Sequence, residues 1–392
     1  MTSDPLYLDC NASNPVDERV LESMFAAARE FYGNAGSPHR HGERAKSAVH
    51  QARDSIGRVV GVKRHEVIFT SGATESNNIA ISGLVAHGKR VGKMHVISSA
   101  IEHKAVLEPL DRMRSEGFEI SLVEPNSDGV VDAEEFKRLM KADTLLVSLM
   151  HVNNETGVVQ PVSQVASMAQ DRGILMHVDA AQGFGREWTS LTHPGVTMIS
   201  ISGHKIFGPQ GIGGLIVRRT RNELPPLEPL SLGGGQELGL RSGTLPVPLI
   251  VGLGTAAQLA MENHRERDER CLVIRKRVLD WVQQHRGVIH GCEESTLPHV
   301  INVSFPEWEA DELIEAVSPW VSISNGAACT SVCATASHVL QAMGVCGAQL
   351  DGAVRWSWSH LTDLDALARA LEGAGAVIDQ KSNSQSGSSG AH

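Results

Sequence analysis

Residues 174–182 read Ile-Leu-Met-His-Val-Asp-Ala-Ala-Gln, and residues 198–205 read Met-Ile-Ser-Ile-Ser-Gly-His-Lys. In each, a short apolar run ends in polar residues and a turn of small ones. A short run that is apolar on both faces reads as a strand covered by helices on each side, the habit of a parallel sheet. The same signature recurs at Val67-Ile68-Phe69-Thr70, His95-Val96-Ile97-Ser98, Thr144 to Leu149 and Gly214 to Val217. Helical patterns lie between several of them, as at Ala133 to Met140 and Val162 to Asp171. Strands alternating with helices predict an α/β domain over residues 16–250, its mostly parallel sheet flanked by helices.

After Pro248 a long helical pattern runs to about His285. It is apolar and rich in small residues from Ile250 to Met261, and charged from Glu262 to Arg277. One connecting helix is expected over residues 251–285. Beyond it come a strand at Val300 to Phe305, a helix near Asp311 to Val317 and a strand at Val321 to Ser324. A helix at Ala336 to Met343, a strand at Val354 to Ser357 and a helix from Asp363 to Ile378 follow. They predict a smaller α+β domain over residues 286–380, with the N-terminal segment 1–15 packed against it. The tail, Lys381 to His392, is rich in Ser and Gly and is expected to be disordered.

The 392 residues suffice for two domains with a large core. Hydrophobic residues at 41% and charged residues at 20% describe an ordinary globular chain. A net charge of −10 argues against a direct grip on nucleic-acid phosphates or an anionic membrane. Six cysteines in so long a chain are no disulfide framework. Met1 to Asp9 lacks the basic and apolar regions of a signal peptide, and no apolar run is long enough for a membrane helix. A reducing cytoplasm is the expectation.

Three short motifs carry chemistry. Thr70-Ser71-Gly72-Ala73-Thr74-Glu75-Ser76-Asn77 follows a strand and opens a helix, where backbone N–H groups and the helix dipole favour an anion. A capped helix start looks similar. Asp179 ends a buried strand, where a carboxylate needs a cationic partner, unless it caps the next helix. Lys205 follows the next strand in a turn dense with glycine, a place packing explains poorly, although most lysines are solvated. The order decides: an anion loop, then a strand-end Asp, then a Lys. Pyridoxal phosphate needs an anion cradle, a carboxylate on its ring nitrogen and an amine for its aldehyde.

With those motifs in place the chain resembles the cysteine desulfurases of the NifS/IscS type, in the class V aminotransferase family of fold-type I enzymes. The likeness covers about residues 5 to 375. It rests on Tyr7-Leu8-Asp9, Thr70 to Glu75, Glu102 to Val106, His151 to Gly157, His177 to Gln182, Ser202 to Gly208 and Gly233 to Thr244. Its sharpest part is Ser324-Asn325-Gly326-Ala327-Ala328-Cys329-Thr330-Ser331, which is similar to the segment holding that family's persulfide cysteine. The spacing from Cys329 to His338 fits the long loop of the IscS-like group.

The resemblance implies roles. Lys205 holds the cofactor aldehyde and moves the Cα proton, Asp179 faces the pyridinium nitrogen, and Gln182 and Asn154 reach the phenolic oxygen. His103 stacks on the ring and handles protons. Ala73, Thr74, Ser202 and His204 hold the phosphate, and Thr244 reaches the phosphate of a neighbouring subunit, implying a homodimer. Arg355 binds the substrate carboxylate, assisted by Asn34. Cys329 takes sulfur from L-cysteine, leaving alanine, and passes it to an acceptor protein. No metal is implied.

Cys10 and Cys333 depart from the family's usual residues. They suggest a specialised branch, and one that the chain resembles is the DndA-type desulfurase of DNA phosphorothioation. The enzymatic rival is a selenocysteine lyase or class V aminotransferase, for which Cys329 would be idle. The rival of another class is a catalytically silent scaffold, against which Lys205, Asp179 and Cys329 together argue. A metal site among Cys329, Cys333, His338 and Cys346 lacks a paired Cys-x-x-Cys knuckle.

Overall fold

The computed structural model describes residues 4–220, 223–305, 307–326 and 336–388, with side chains described as far as Lys381. Cys329 and Cys333 lie outside the described residues.

The first strand, β1 (Leu6–Tyr7), belongs to the small domain despite its place in the chain. The large domain then lays down β2 (Val67–Thr70), β3 (His95–Ser99), β4 (Glu119–Val123), β5 (Thr144–Met150), β6 (Leu175–Asp179), β7 (Met198–Ser202) and β8 (Gly213–Val217). Their order across the sheet is β2-β8-β7-β6-β5-β3-β4. The ladders from β7 through β6, β5 and β3 to β4 are parallel, and β8 runs antiparallel to both β7 and β2. The fold is therefore the expected α/β one with a largely parallel sheet. Strands β2, β3, β5, β7 and β8 are buried at every residue, as two-sided helix cover requires. Strand β4 was not anticipated. It is a half-exposed edge strand that starts on Glu119, so it lacks the continuous apolar run.

The helical stretch expected as one connector is two helices. Val247–Glu262 packs into the large-domain core through Ile250, Leu253, Ala256 and Ala257. His264–Gln284 gives Cys271, Ile274, Val278 and Trp281 to the small-domain core. The break falls at Asn263, whose side chain donates to the Leu259 carbonyl at 2.9 Å and so satisfies the first helix's end.

The small domain holds β9 (Val288–His290), β10 (Val300–Ser304), β11 (Val321–Ser322) and β12 (Ala353–Ser357). β10 lies between β9 and β12 in an antiparallel sheet, and β1 pairs with β11. Trp281 and Trp356 meet in its core with ring centroids 5.1 Å apart, a contact worth about 1 kcal/mol beyond area burial. The last helix, Leu364–Ser388, runs past Lys381, where the sequence reading starts a disordered tail. Lys381 pairs with Glu312 and lies 4.3 Å from the Trp308 ring centroid, which carries the helix beyond its apolar end. Among the described residues no helix is long and apolar enough to cross a membrane.

Candidate active site

A parallel sheet offers its ligand site at the carboxyl ends of its strands. Here β5, β6 and β7 end in Met150, Asp179 and Ser202, and all three line one cleft of about 470 Å³. The structure brings Ala73, Thr74, His103, Asn154, Asp179, Gln182, Ser202, His204, Lys205 and Arg355 together around it. Asn34 and Thr244 are not among its lining residues. Asn34 is exposed and accepts the Gly36 N–H at 2.9 Å, closing its own turn. Thr244 is exposed.

The floor is built by the strand ends. Asp179 is 6% exposed. One carboxylate oxygen accepts from Asn77 Nδ2 at 2.7 Å and the other from the Ala181 N–H at 3.0 Å. Below it, His177 bonds the hydroxyls of Ser148 and Ser200, each at 2.9 Å. Burial pulls the His177 pKa down to about 4. The imidazole is thus neutral.

Lys205 sits on a short turn just after β7. Its Nζ donates to the carbonyls of Asn11 and Ala12, the latter at 3.0 Å. The N-terminal turn is thereby part of the site, and Gln182 Nε2 also donates to the Asn11 carbonyl, at 3.0 Å. Asn11 itself is held by Asn154 O at 3.1 Å and His299 Nε2 at 3.0 Å. Sequence reasoning missed Asn11, Ser13 and Asn77 as site residues. The first two stand two and four residues after the quoted Tyr7-Leu8-Asp9, and Asn77 closes the quoted anion-loop motif.

The helix Ala73–Ser82 opens on the cleft with Gly72 as its N-cap, and no side chain caps it. Its first N–H groups are left for an anion. A Cβ on Gly213 would lie 2.6 Å from the Gly72 Cα, so β8 needs glycine there to let this turn pack down. His204 is nearby, its pKa drawn down to about 4 by burial and then by the Lys205 charge. A neutral imidazole can donate one N–H to a phosphate.

His103 caps the helix Lys104–Ser115, accepting the Ala105 N–H on Nδ1 at 3.1 Å. When neutral, its ring therefore carries its proton on Nε2. Arg355 comes from β12 and closes the far side. Its guanidinium donates to Asn154 O at 3.0 Å, Asp9 Oδ1 at 2.7 Å and Ser324 Oγ at 3.0 Å. Its Nε is buried with no partner.

These residues fit pyridoxal phosphate. An uncapped helix end suits the phosphate, and the fixed Asp179 suits a ring cation. Gln182 Oε1 is buried with no partner, so a polar position at the cleft is left open. Lys205 supplies the amine. Together, fold and site define a pyridoxal-phosphate enzyme of fold type I.

The comparisons narrow this. The aminotransferase class-V family matches residues 6–366, and the chain belongs to that family. The curated cysteine desulfurase IscS of Klebsiella pneumoniae is 41% identical over 372 residues, 94% of this chain and 91% of its own. Among solved structures, a NifS-like protein superposes with a TM-score of 0.88 at 36% identity, covering 96% of this chain and 99% of that one. DndA from Streptomyces lividans gives 0.79 at 43%, over 90% and 99%. SspA in complex with cysteine gives 0.77 at 37%, over 90% and 98%.

Proposed function

We propose that this chain is a cysteine desulfurase that converts L-cysteine to L-alanine, with sulfur passing to Cys329 and then to an acceptor protein. The observation that carries the reading is one cleft joining Lys205, Asp179 and Arg355, with a family persulfide motif in the chain beside it. Arg355 is bonded to Ser324, the residue that opens that motif. The 41% identity to IscS and the cysteine held by SspA support the same substrate.

Each residue has a task that its geometry allows. Arg355, which lines the cleft, takes the substrate carboxylate. That fixes the substrate's amino group toward Lys205. When bound, pyridoxal phosphate supplies an electron-withdrawing ring that eases proton loss at Cα and loads Cβ for loss of sulfur. Lys205 moves the Cα proton. Asp179, locked by Asn77 and Ala181, holds a proton on the ring nitrogen. His103 offers a proton from Nε2. The Cys329 thiolate attacks the substrate sulfur: an S–S bond forms, the Cβ–S bond breaks, and its electron pair stays with the carbon skeleton. That skeleton is protonated and leaves as alanine.

The reading includes a homodimer in which Thr244 serves the neighbouring subunit's phosphate. Leu230, Leu232 and Leu238, all half-exposed or more on the same segment, support a partner there. Light scattering tests this: a fully active monomer would overturn it. The acceptor is assigned to a protein in the cytoplasm, and the DndA-type branch of DNA phosphorothioation is the finer setting. The 43% identity to DndA supports it. Cys10 and Cys271 are buried free thiols, as a reducing compartment allows.

The deciding experiment incubates purified protein with L-cysteine and a reductant, and assays sulfide and alanine. Equal amounts of both are expected. Pyruvate in place of alanine, or turnover of selenocysteine alone, would overturn the assignment.

A further inference from the structure

Glu155 is 2% exposed and has no task in the chemistry above. A buried carboxyl is costly unless its partners repay it. Its backbone is tied down locally: the N–H groups of Glu155 and Thr156 donate to Asn153 Oδ1 at 2.9 and 3.0 Å. Asn153 is in turn tied to Ile101 O at 3.1 Å, in the turn that precedes His103.

The carboxylate bonds one piece of chain and lies beside another. Its Oε2 accepts from Ser337 Oγ at 2.5 Å. Ser337 is the N-cap of the helix His338–Ala342, and its Oγ also accepts the Leu340 N–H at 3.0 Å. Beside the same oxygen lies Gly326. A Cβ there would stand 3.4 Å from Glu155 Oε2 and 3.5 Å from its Cγ. Gly326 has a φ of +72°, in the left-handed region where glycine is at home. Gly326 and Ser337 flank residues 327–335, the stretch that contains Cys329. The next residue, His338, bonds the Glu102 carbonyl at 2.9 Å, beside His103.

We infer that Glu155 is a positioning residue for sulfur transfer, bonding Ser337 and packing beside Gly326 on the two flanks of the Cys329 segment. The inference rests on the reading of Cys329 as the sulfur acceptor. It assigns Glu155 to the approach of Cys329 and not to the capture of cysteine, which belongs to Arg355. Burial raises the Glu155 pKa, while Ser337, His338, Arg355 and His103 oppose the rise. Its hydrogen bond to Ser337 needs only an acceptor oxygen, so a glutamine can make it.

The test uses the holoenzyme and the variants Glu155→Ala, Glu155→Gln, Ser337→Ala and Cys329→Ser. Cysteine affinity is read from the cofactor's absorbance change. The rate of added sulfur on the Cys329 peptide is read by mass spectrometry in a single turnover. Glu155→Ala is expected to slow persulfide formation at least about tenfold while cysteine affinity stays within about twofold. Ser337→Ala is expected to move the same way, and Glu155→Gln to restore most of the rate. A wild-type persulfide rate in Glu155→Ala overturns the inference. Should that variant fail to fold, a wild-type rate in Ser337→Ala does so. Weakened cysteine binding with an unchanged saturated rate also overturns it, because Glu155 would then serve the substrate pocket. Undiminished sulfide release by Cys329→Ser would remove the underlying reading itself, an outcome distinct from the others.

Discussion

Asn77 Nδ2 donates to Asp179 Oδ2 at 2.7 Å, joining the helix that opens at Gly72 to the carboxylate at the end of β6. Both side chains are buried, and Asn77 is fully so. With the Ala181 N–H on the second oxygen, the carboxylate is held from two directions and presents one face. An unheld carboxylate would rotate, and its stabilisation of a ring cation would fall. Asn77→Ala leaves one buried oxygen unsatisfied. It is expected to weaken cofactor retention and to lower kcat, each about tenfold. Cofactor dissociation followed by absorbance checks this. Unchanged retention would mean that Ala181 alone positions Asp179.

Lys205→Ala removes the only amine placed by the turn after β7. The variant is expected to lose the absorbance band of covalently held cofactor and at least about a thousandfold of activity. Normal turnover in that variant would refute the pyridoxal-phosphate chemistry assigned to the cleft.

Much of this site was legible because it sits at strand ends. Asp179, Ser202 and Lys205 follow apolar runs, so their place at one sheet edge could be read from the order of motifs. Strand β4 escaped because an edge strand starting on Glu119 needs no continuous apolar run. The break at Asn263 escaped because helix periodicity passes through a single residue without a Gly or Pro to mark it. Asn11 was invisible for another reason. Its task is done mainly by its backbone carbonyl, which receives Lys205 and Gln182, and a sequence names side chains only. Glu155 lies inside a quoted motif, but its partners Gly326 and Ser337 are distant in sequence.

Arg355→Lys tests the carboxylate site. Arg355 already spends donors on Asp9, Ser324 and Asn154, and in the proposed reading a substrate carboxylate competes for the same fork. A lysine has no fork to divide. The KM for cysteine is expected to rise about ten- to a hundredfold, with kcat less affected. A loss confined to kcat, at unchanged KM, would place the substrate carboxylate elsewhere.

Cys329 and Cys333 are separated by comparing Cys329→Ser with Cys333→Ser. The small residues Gly326, Ala327 and Ala328 precede Cys329, so no bulky side chain stands just before that thiol in the sequence. Cys329→Ser is expected to bind cysteine, release almost no sulfide and show no added sulfur on its segment. Cys333→Ser is expected to keep most activity, with any shared role appearing as slower transfer to the acceptor. The reverse pattern would move the nucleophile to Cys333.

Glu102 gives the fold a pH dependence of its own. It is fully buried next to His103, and its Oε1 accepts from Ser99 Oγ and the Met150 N–H, each at 2.7 Å. Its Oε2 is buried with no partner. Burial pushes its pKa from 4.5 up to about 8, against those two hydrogen bonds and with help from the Asp179 charge. Below pH 4.5 the group is protonated in both the folded and the unfolded chain and contributes no pH dependence. Between 4.5 and about 8 the unfolded chain ionises while the folded one stays neutral, so stability falls as pH rises. Above about 8 both forms are ionised and the loss is complete. Each pH unit is worth about 1.4 kcal/mol, so the full loss is on the order of a few kcal/mol. Glu102→Gln copies the shape of the neutral acid and cannot ionise. It is expected to match the wild type in urea unfolding near about pH 5 and to exceed it by roughly a few kcal/mol near about pH 8. Parallel stability curves for the two proteins across that range would show that Glu102 ionises in the folded state as easily as in the unfolded one.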